Sequence, residues 1–153
     1  MSMTTYEIID TFCDAINPLL LLMCLSLCVS YSLNKKYRVA FTCFGLLMVL
    51  MVLVYGSKFL DDKLLLWHRF GGDFSTHLAF ALVCCVFLFR RLAKPTIWIF
   101  VAVIYGLLMW YQKYHTVYDM LTTAVWVLPL AFTMSLPFGQ KKEARISVFA
   151  ARR

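Results

Sequence analysis

The chain has 153 residues, 62% of them hydrophobic and 16% aromatic, with a formal net charge of +7. Soluble domains average about 45–50% apolar residues, so this composition excludes an ordinary soluble globular domain and points to a membrane protein. The basic excess is split among short links between apolar runs, which argues against nucleic-acid binding and for contact with anionic lipid headgroups.

Residues 1–15 read as an amphipathic lead-in, with Ile8, Ile9 and Phe12 available to face a membrane. Asn17-Pro18 is expected to open the first span, where proline is tolerated at a helix start. Charge-free runs then cover 15–34, 39–57, 74–89, 95–112 and 120–140. A helix needs about 20 residues to cross the hydrocarbon core. The expectation is an all-α, polytopic bundle of five transmembrane helices in one domain, at about 16–33, 39–57, 73–89, 95–111 and 118–137. The third run is short and can borrow Gly71–Asp73 or sit in a locally thinned bilayer.

The link 58–73 is the longest, and its Leu64-Leu65-Leu66-Trp67 centre is expected at the membrane interface, where tryptophan is favoured. Gly71-Gly72-Asp73 breaks the chain before the third span, with Asp73 or Ser75 as helix cap. Tyr111, Tyr114 and Tyr118 suggest an aromatic belt before the fifth.

Lys and Arg set the orientation. Lys35, Lys36, Arg38, Arg90, Arg91, Lys94, Lys141, Lys142, Arg145, Arg152 and Arg153 fall in alternate links and the C-terminal tail, with Glu143 as their only acid. The intervening segments hold Lys58, Lys63, Arg69 and Lys113 among seven acids. This places the N-terminus outside and the C-terminus in the cytoplasm. The six cysteines (Cys13, Cys24, Cys28, Cys43, Cys84, Cys85) lie mostly inside apolar runs and read as small hydrophobes, not as a disulfide or metal framework.

All three histidines, His68, His77 and His115, fall on the outer side. His115 and Asp119 are four residues apart, which puts them on one helix face. A carboxylate there can orient one ring nitrogen and leave the other free to attack or to take a proton. The plainer reading is an interfacial histidine and a helix-start aspartate. Ser75-Thr76-His77 stands at a helix start, where free N–H groups suit an anion, and His77 could protonate a leaving oxygen. Lys58, Lys63, Arg69 and Lys113 could hold phosphate oxygens or snorkel to headgroups. The set suits phosphoryl transfer through a phosphohistidine, with no cofactor and no metal. A haem or metal protein is a poorer fit, because the histidines are peripheral to the bundle.

These residues resemble the type 2 phosphatidic acid phosphatase superfamily. Its members carry Ser-Gly-His at one helix start and His-x-x-x-Asp at a later one. Ser75-Thr76-His77 looks like the first, with threonine for glycine, and His115 to Asp119 matches the second. Gly71-Gly72-Asp73-Phe74-Ser75-Thr76-His77 is also similar to a segment of the sphingomyelin synthase branch. The resemblance covers roughly residues 58–135. It implies a helical bundle with its site at the membrane surface, His115 as nucleophile, Asp119 as its orienting partner and His77 as the acid for the leaving group. It implies lipid phosphates or diphosphates as substrates, such as phosphatidate, polyprenyl diphosphate or lipid A, hydrolysed or transferred. Two departures stand out. Met109 occupies the position of the family's arginine, six residues before the second histidine, and the upstream Lys-x6-Arg-Pro pattern is missing. The expected location is a bacterial inner membrane with the site facing the periplasm. A homo-oligomer is compatible with this class. The alternative is a non-catalytic lipid-binding protein or membrane-complex subunit on the same scaffold.

Overall fold

A computed structural model describes residues 5–92 and 95–138. The basic residues Lys94, Lys141, Lys142, Arg145, Arg152 and Arg153, and with them part of the orientation argument, lie outside that range. Within it the chain is all-helical: α1 (Thr5–Leu33), α2 (Tyr37–Leu64), a 3-10 turn (His68–Phe70), α3 (Thr76–Arg91), α4 (Pro95–Tyr111) and α5 (Val117–Ser135).

The apolar runs become helices because their backbone groups have no other partner in an apolar medium. Three stretches are long and apolar enough to cross a membrane: Asp10–Leu33, Tyr37–Leu64 and Val117–Ser135. Their outer faces remain apolar, with Phe41 77%, Val52 71% and Val125 73% exposed. Such faces are costly in water and match hydrocarbon.

α3 is the centre of the bundle and packs against α1, α2, α4 and α5. Residues Leu78–Leu88 are buried except Phe80. The short run therefore does not borrow Gly71–Asp73. It starts at Thr76, with Ser75 as cap accepting from the Leu78 N–H, and neighbouring helices cover most of its surface. Five cysteines line this core, and Cys24 Sγ approaches the Cys84 carbonyl at 3.9 Å. All six are free and buried.

The helices depart from the expected boundaries in two places. The lead-in and first span form one helix, with Pro18 inside α1 and not at its start. Asn17 instead reaches sideways, donating to the His77 carbonyl at 3.2 Å and to Tyr105 Oη at 3.1 Å. α2 continues through Lys58–Leu64, where a loop was expected. The charges there support a helix, since Lys58 pairs with Asp62 at 2.9 Å across one turn. α2 ends at Leu65, which has positive φ and donates its N–H to the Asp61 carbonyl.

Trp67 is a third difference. Its side chain is buried within the protein and not turned outward. Its N–H donates to Asp61 Oδ1 at 2.9 Å and its indole N–H to Thr122 Oγ1 at 3.1 Å. Its ring meets Phe74 and Trp126 edge to face, with centroids 4.8 and 6.0 Å away. Every polar atom of this buried indole is satisfied, as burial requires.

Candidate active site

One end of the bundle collects the start of α1, the end of α2, the start of α3, the end of α4 and the start of α5. Cross-links fix this. Asp10 accepts from Gln112 and from Tyr114, Ser57 Oγ accepts from Trp126 at 3.1 Å, and the Ser75 N–H donates to Thr123 Oγ1 at 3.1 Å. All three histidines lie at this end.

The start of α5 organises it. Thr116 is the N-cap, and its Oγ1 accepts from the Asp119 N–H at 3.2 Å. Asp119 reaches back, and its Oδ2 accepts from the Thr116 N–H at 3.0 Å and from Thr116 Oγ1 at 2.7 Å. This is a capping box, in which each residue's side chain accepts from the other's otherwise unpaired N–H. Asp119 Oδ1 then accepts from the backbone N–H of Asp73 at 2.8 Å. The loop before α3 is thereby tied to the start of α5.

Glycine makes that approach fit. A Cβ on Gly72 would stand 2.9 Å from Asp119 Oδ1 and 3.1 Å from the Tyr118 ring. Gly71 has φ +72°, a conformation that favours glycine.

His115 sits just before this helix, with its side chain 15% exposed. Its Nδ1 is 4.0 Å from Asp119 Oδ2. That is close enough for charge interaction but beyond hydrogen-bond reach, so the expected direct hydrogen bond is not formed. The carboxylate is occupied by Thr116 and Asp73. Burial lowers the His115 pKa below its ordinary 6.5, while the nearby Asp73 and Asp119 carboxylates oppose that shift. His77 and Lys58 act on His115 in the same sense as burial. Four of the sequence-chosen residues, His115, Asp119, His77 and Lys58, therefore share one electrostatic neighbourhood with Asp73.

The remaining site residues are distributed as follows. His77 is exposed in the first turn of α3. Ser75 is fully buried, with its hydroxyl committed to the helix cap, and Thr76 is partly exposed. Lys58 lies between Asp62 and Asp73, whose Oδ1 is 3.9 Å away. Lys63 lies over the Phe59 ring, 5.8 Å from its centroid. Arg69 and Lys113 are exposed. Met109, at the family's arginine position, is buried in the core. Tyr111, Tyr114 and Tyr118 are all exposed.

A cavity of about 280 Å³ opens beside the site, lined by Lys58, Asp61, Asp62, Leu65, His68, Gly72 and Asp73. A larger apolar groove of about 720 Å³ runs along α3 between α4 and α5. Among the described residues, no three His, Cys, Asp or Glu side chains are grouped to hold a metal ion.

Reasoning from sequence missed Thr116, Gly72 and the amide of Asp73. The Thr-x-x-Asp spacing at 116–119 carries the capping-box signature and could have identified the first. The other two depend on a tertiary contact.

Comparisons with protein-family models, curated proteins and solved structures find no match to this chain.

Proposed function

We propose that this chain is a membrane lipid phosphatase or phosphotransferase that works through a phosphohistidine at His115. The observation that carries the reading is the docking of the Gly72-Asp73 loop on Asp119. It brings the start of α3, with His77, to the start of α5, with His115. The resemblance to type 2 phosphatidic acid phosphatases supplies the roles.

In this reading His115 is the nucleophile. Its lowered pKa keeps the ring neutral at pH 7, as attack on phosphorus requires. Nδ1 faces Asp119, so Nε2 is the attacking nitrogen. The N–P bond forms as the P–O bond to the lipid breaks. His77 gives its proton to the departing oxygen and then accepts one from the water or acceptor alcohol that cleaves the N–P bond. Asp119 stabilises the positive ring through charge at 4.0 Å. Lys58 is the cation that joins the phosphate, exchanging Asp62 for a phosphate oxygen. In this reading the five charge-free runs are five membrane spans, and the Lys and Arg distribution puts the site on the extracytoplasmic face.

One observation favours a second reading, a non-catalytic lipid-binding protein on this scaffold. Asp119 is taken up by structural hydrogen bonds, and Lys58 is surrounded by acids. Phosphate release by the purified protein, measured with EDTA against a panel of lipid phosphates, separates the two. Turnover lost in His115→Ala supports catalysis, and no turnover of any lipid supports the second reading.

A further inference from the structure

The core-facing stripe of α1 recurs every three or four residues and carries the buried side chains Cys13, Leu20, Cys24 and Cys28. Asp10 and Asn17 fall on the same stripe, two helical turns apart. A polar group withdrawn from water there costs free energy unless it finds a partner. Both residues have partners, and each set of partners leads to a histidine.

Asn17 donates to the His77 carbonyl at 3.2 Å and to Tyr105 Oη at 3.1 Å. It thereby ties α1 to the first turn of α3 and to a buried tyrosine of α4. Asp10 Oδ1 accepts from Gln112 Nε2 at 3.4 Å and from Tyr114 Oη. Those two side chains bracket Lys113, whose φ is +58°. A residue other than glycine holds this left-handed conformation only where its surroundings impose it. The Tyr114 N–H closes the turn on the Met109 carbonyl at 3.2 Å. His115 is the next residue. The direction in which the chain leaves α4 is therefore held from α1, through one carboxylate oxygen.

We infer that Asp10 and Asn17 are positioning residues, by which α1 sets where the rings of His115 and His77 stand relative to each other. The two anchors are about 10 Å apart along the helix, at 1.5 Å per residue. They act on different atoms from the Asp73–Asp119 bond, which ties the backbone before α3 to the start of α5. That the separation of the rings serves phosphoryl transfer rests on the phosphatase reading. The hold on the rings does not, since it requires no reaction at His115.

The test follows the histidine rings of the full-length protein in detergent by NMR, with ¹³C-labelled histidine and assignments from His77→Gln and His115→Gln. Tyr114→Phe removes one hydroxyl and changes no charge. The His115 ring should then become more exposed. Its pKa should rise toward the ordinary 6.5, with Asp73, Asp119, His77 and Lys58 still around it. Asp10→Ala should move the ring as well, and Asp10→Asn, which keeps an acceptor oxygen, should move it less. Combining Asp10→Ala with Tyr114→Phe should add little to the larger single effect. Asn17→Leu should shift the His77 signal. Phe12→Ala, on the exposed face of α1, should leave both rings as in the wild type. With a lipid phosphate that is turned over, kcat should fall roughly tenfold or more in Tyr114→Phe and Asn17→Leu while KM stays. About 1 Å of misplacement can cost ~10²-fold.

A His115 ring unmoved in Tyr114→Phe and Asp10→Ala, or a His77 ring unmoved in Asn17→Leu, would overturn the inference. So would equal shifts in Phe12→Ala. Tyr114→Phe decides the matter even where Asp10→Ala fails to fold. Moved rings without turnover of any lipid phosphate would uphold the positioning and remove the catalytic reading alone. Turnover with rings and kcat unmoved in the variants would remove the positioning alone.

Discussion

Asp119 Oδ1 accepts a hydrogen bond from the Asp73 N–H at 2.8 Å, and this single bond joins the segment leading into α3 to the first turn of α5. The same carboxylate closes the capping box with Thr116. Asp119 is therefore a positioning residue first, and its effect on His115 acts through charge across 4.0 Å.

Asp119→Ala should destabilise the protein through both roles. Loss of the first-turn carboxylate costs about 0.3–1 kcal/mol, and the unpaired Asp73 N–H adds about 1–3 kcal/mol where water cannot replace the acceptor. Asp119→Asn keeps one carbonyl acceptor and should lose less. Denaturant unfolding in detergent compares the two. Equal stability of Asp119→Ala and wild type would show that the loop is held by something else.

Gly72→Ala should push the loop off α5. The added Cβ stands 2.9 Å from Asp119 Oδ1 and against the Tyr118 ring. Overpacking of this kind costs about 1–3 kcal/mol. Gly56→Ala, in mid-helix with no atom within 4 Å of its Cβ, should be neutral or up to about 1 kcal/mol stabilising. In detergent the thermal midpoint should fall for Gly72→Ala and stay or rise for Gly56→Ala.

His115 gives a pH dependence with a definite sign. Its folded pKa lies below the ordinary 6.5, with burial as the main cause. Between the folded value and 6.5 the unfolded chain binds more protons, so this group makes stability rise with pH. Its contribution is flat above about 6.5 and falls as pH drops through that window. Turnover should show an acid limb in the same range, where the nucleophile becomes protonated. His115→Gln should flatten this part of the stability profile. A wild-type profile that improves on acidification from pH 7 to 5.5, with the variant's unchanged, would mean that the ring gains a proton on folding.

Lys58 and Asp62 test the phosphate contact. If Lys58 leaves Asp62 for the substrate, Asp62→Asn should lower KM and Lys58→Met should raise it. About tenfold in the second case corresponds to ~1.4 kcal/mol. Steady-state kinetics on a water-soluble short-chain phosphate ester would show this. KM unmoved in both variants would place the phosphate away from Lys58.

The helices were legible because charge-free runs leave their backbone nothing else to do. What escaped was decided by tertiary contact. Lys58–Leu64 is charged enough to read as a loop, yet the Lys58–Asp62 pair suits one more helical turn. Trp67 has the chemistry of an interfacial residue, but Asp61, Thr122 and Trp126 provide a buried place for it. The spacing of His115 and Asp119 suggested one helix face, but His115 stands just before the Thr116 cap of α5 and outside the helix. The spacing could not reveal that Thr116 and Asp73 would claim the carboxylate first. Ser75 was legible as a cap, but its complete burial was not.

In the proposed mechanism His115 carries the phosphoryl group. The most direct measurement is a phosphoenzyme trap. The purified protein is mixed in EDTA with a ³²P-labelled lipid phosphate, quenched in alkali and mapped by peptide. An acid-labile, alkali-stable label is expected on the peptide containing His115, absent in His115→Ala and accumulating in His77→Ala when release of the phosphoryl group is slowed. Turnover of the lipid without any such label, or with the same label in His115→Ala, would contradict it.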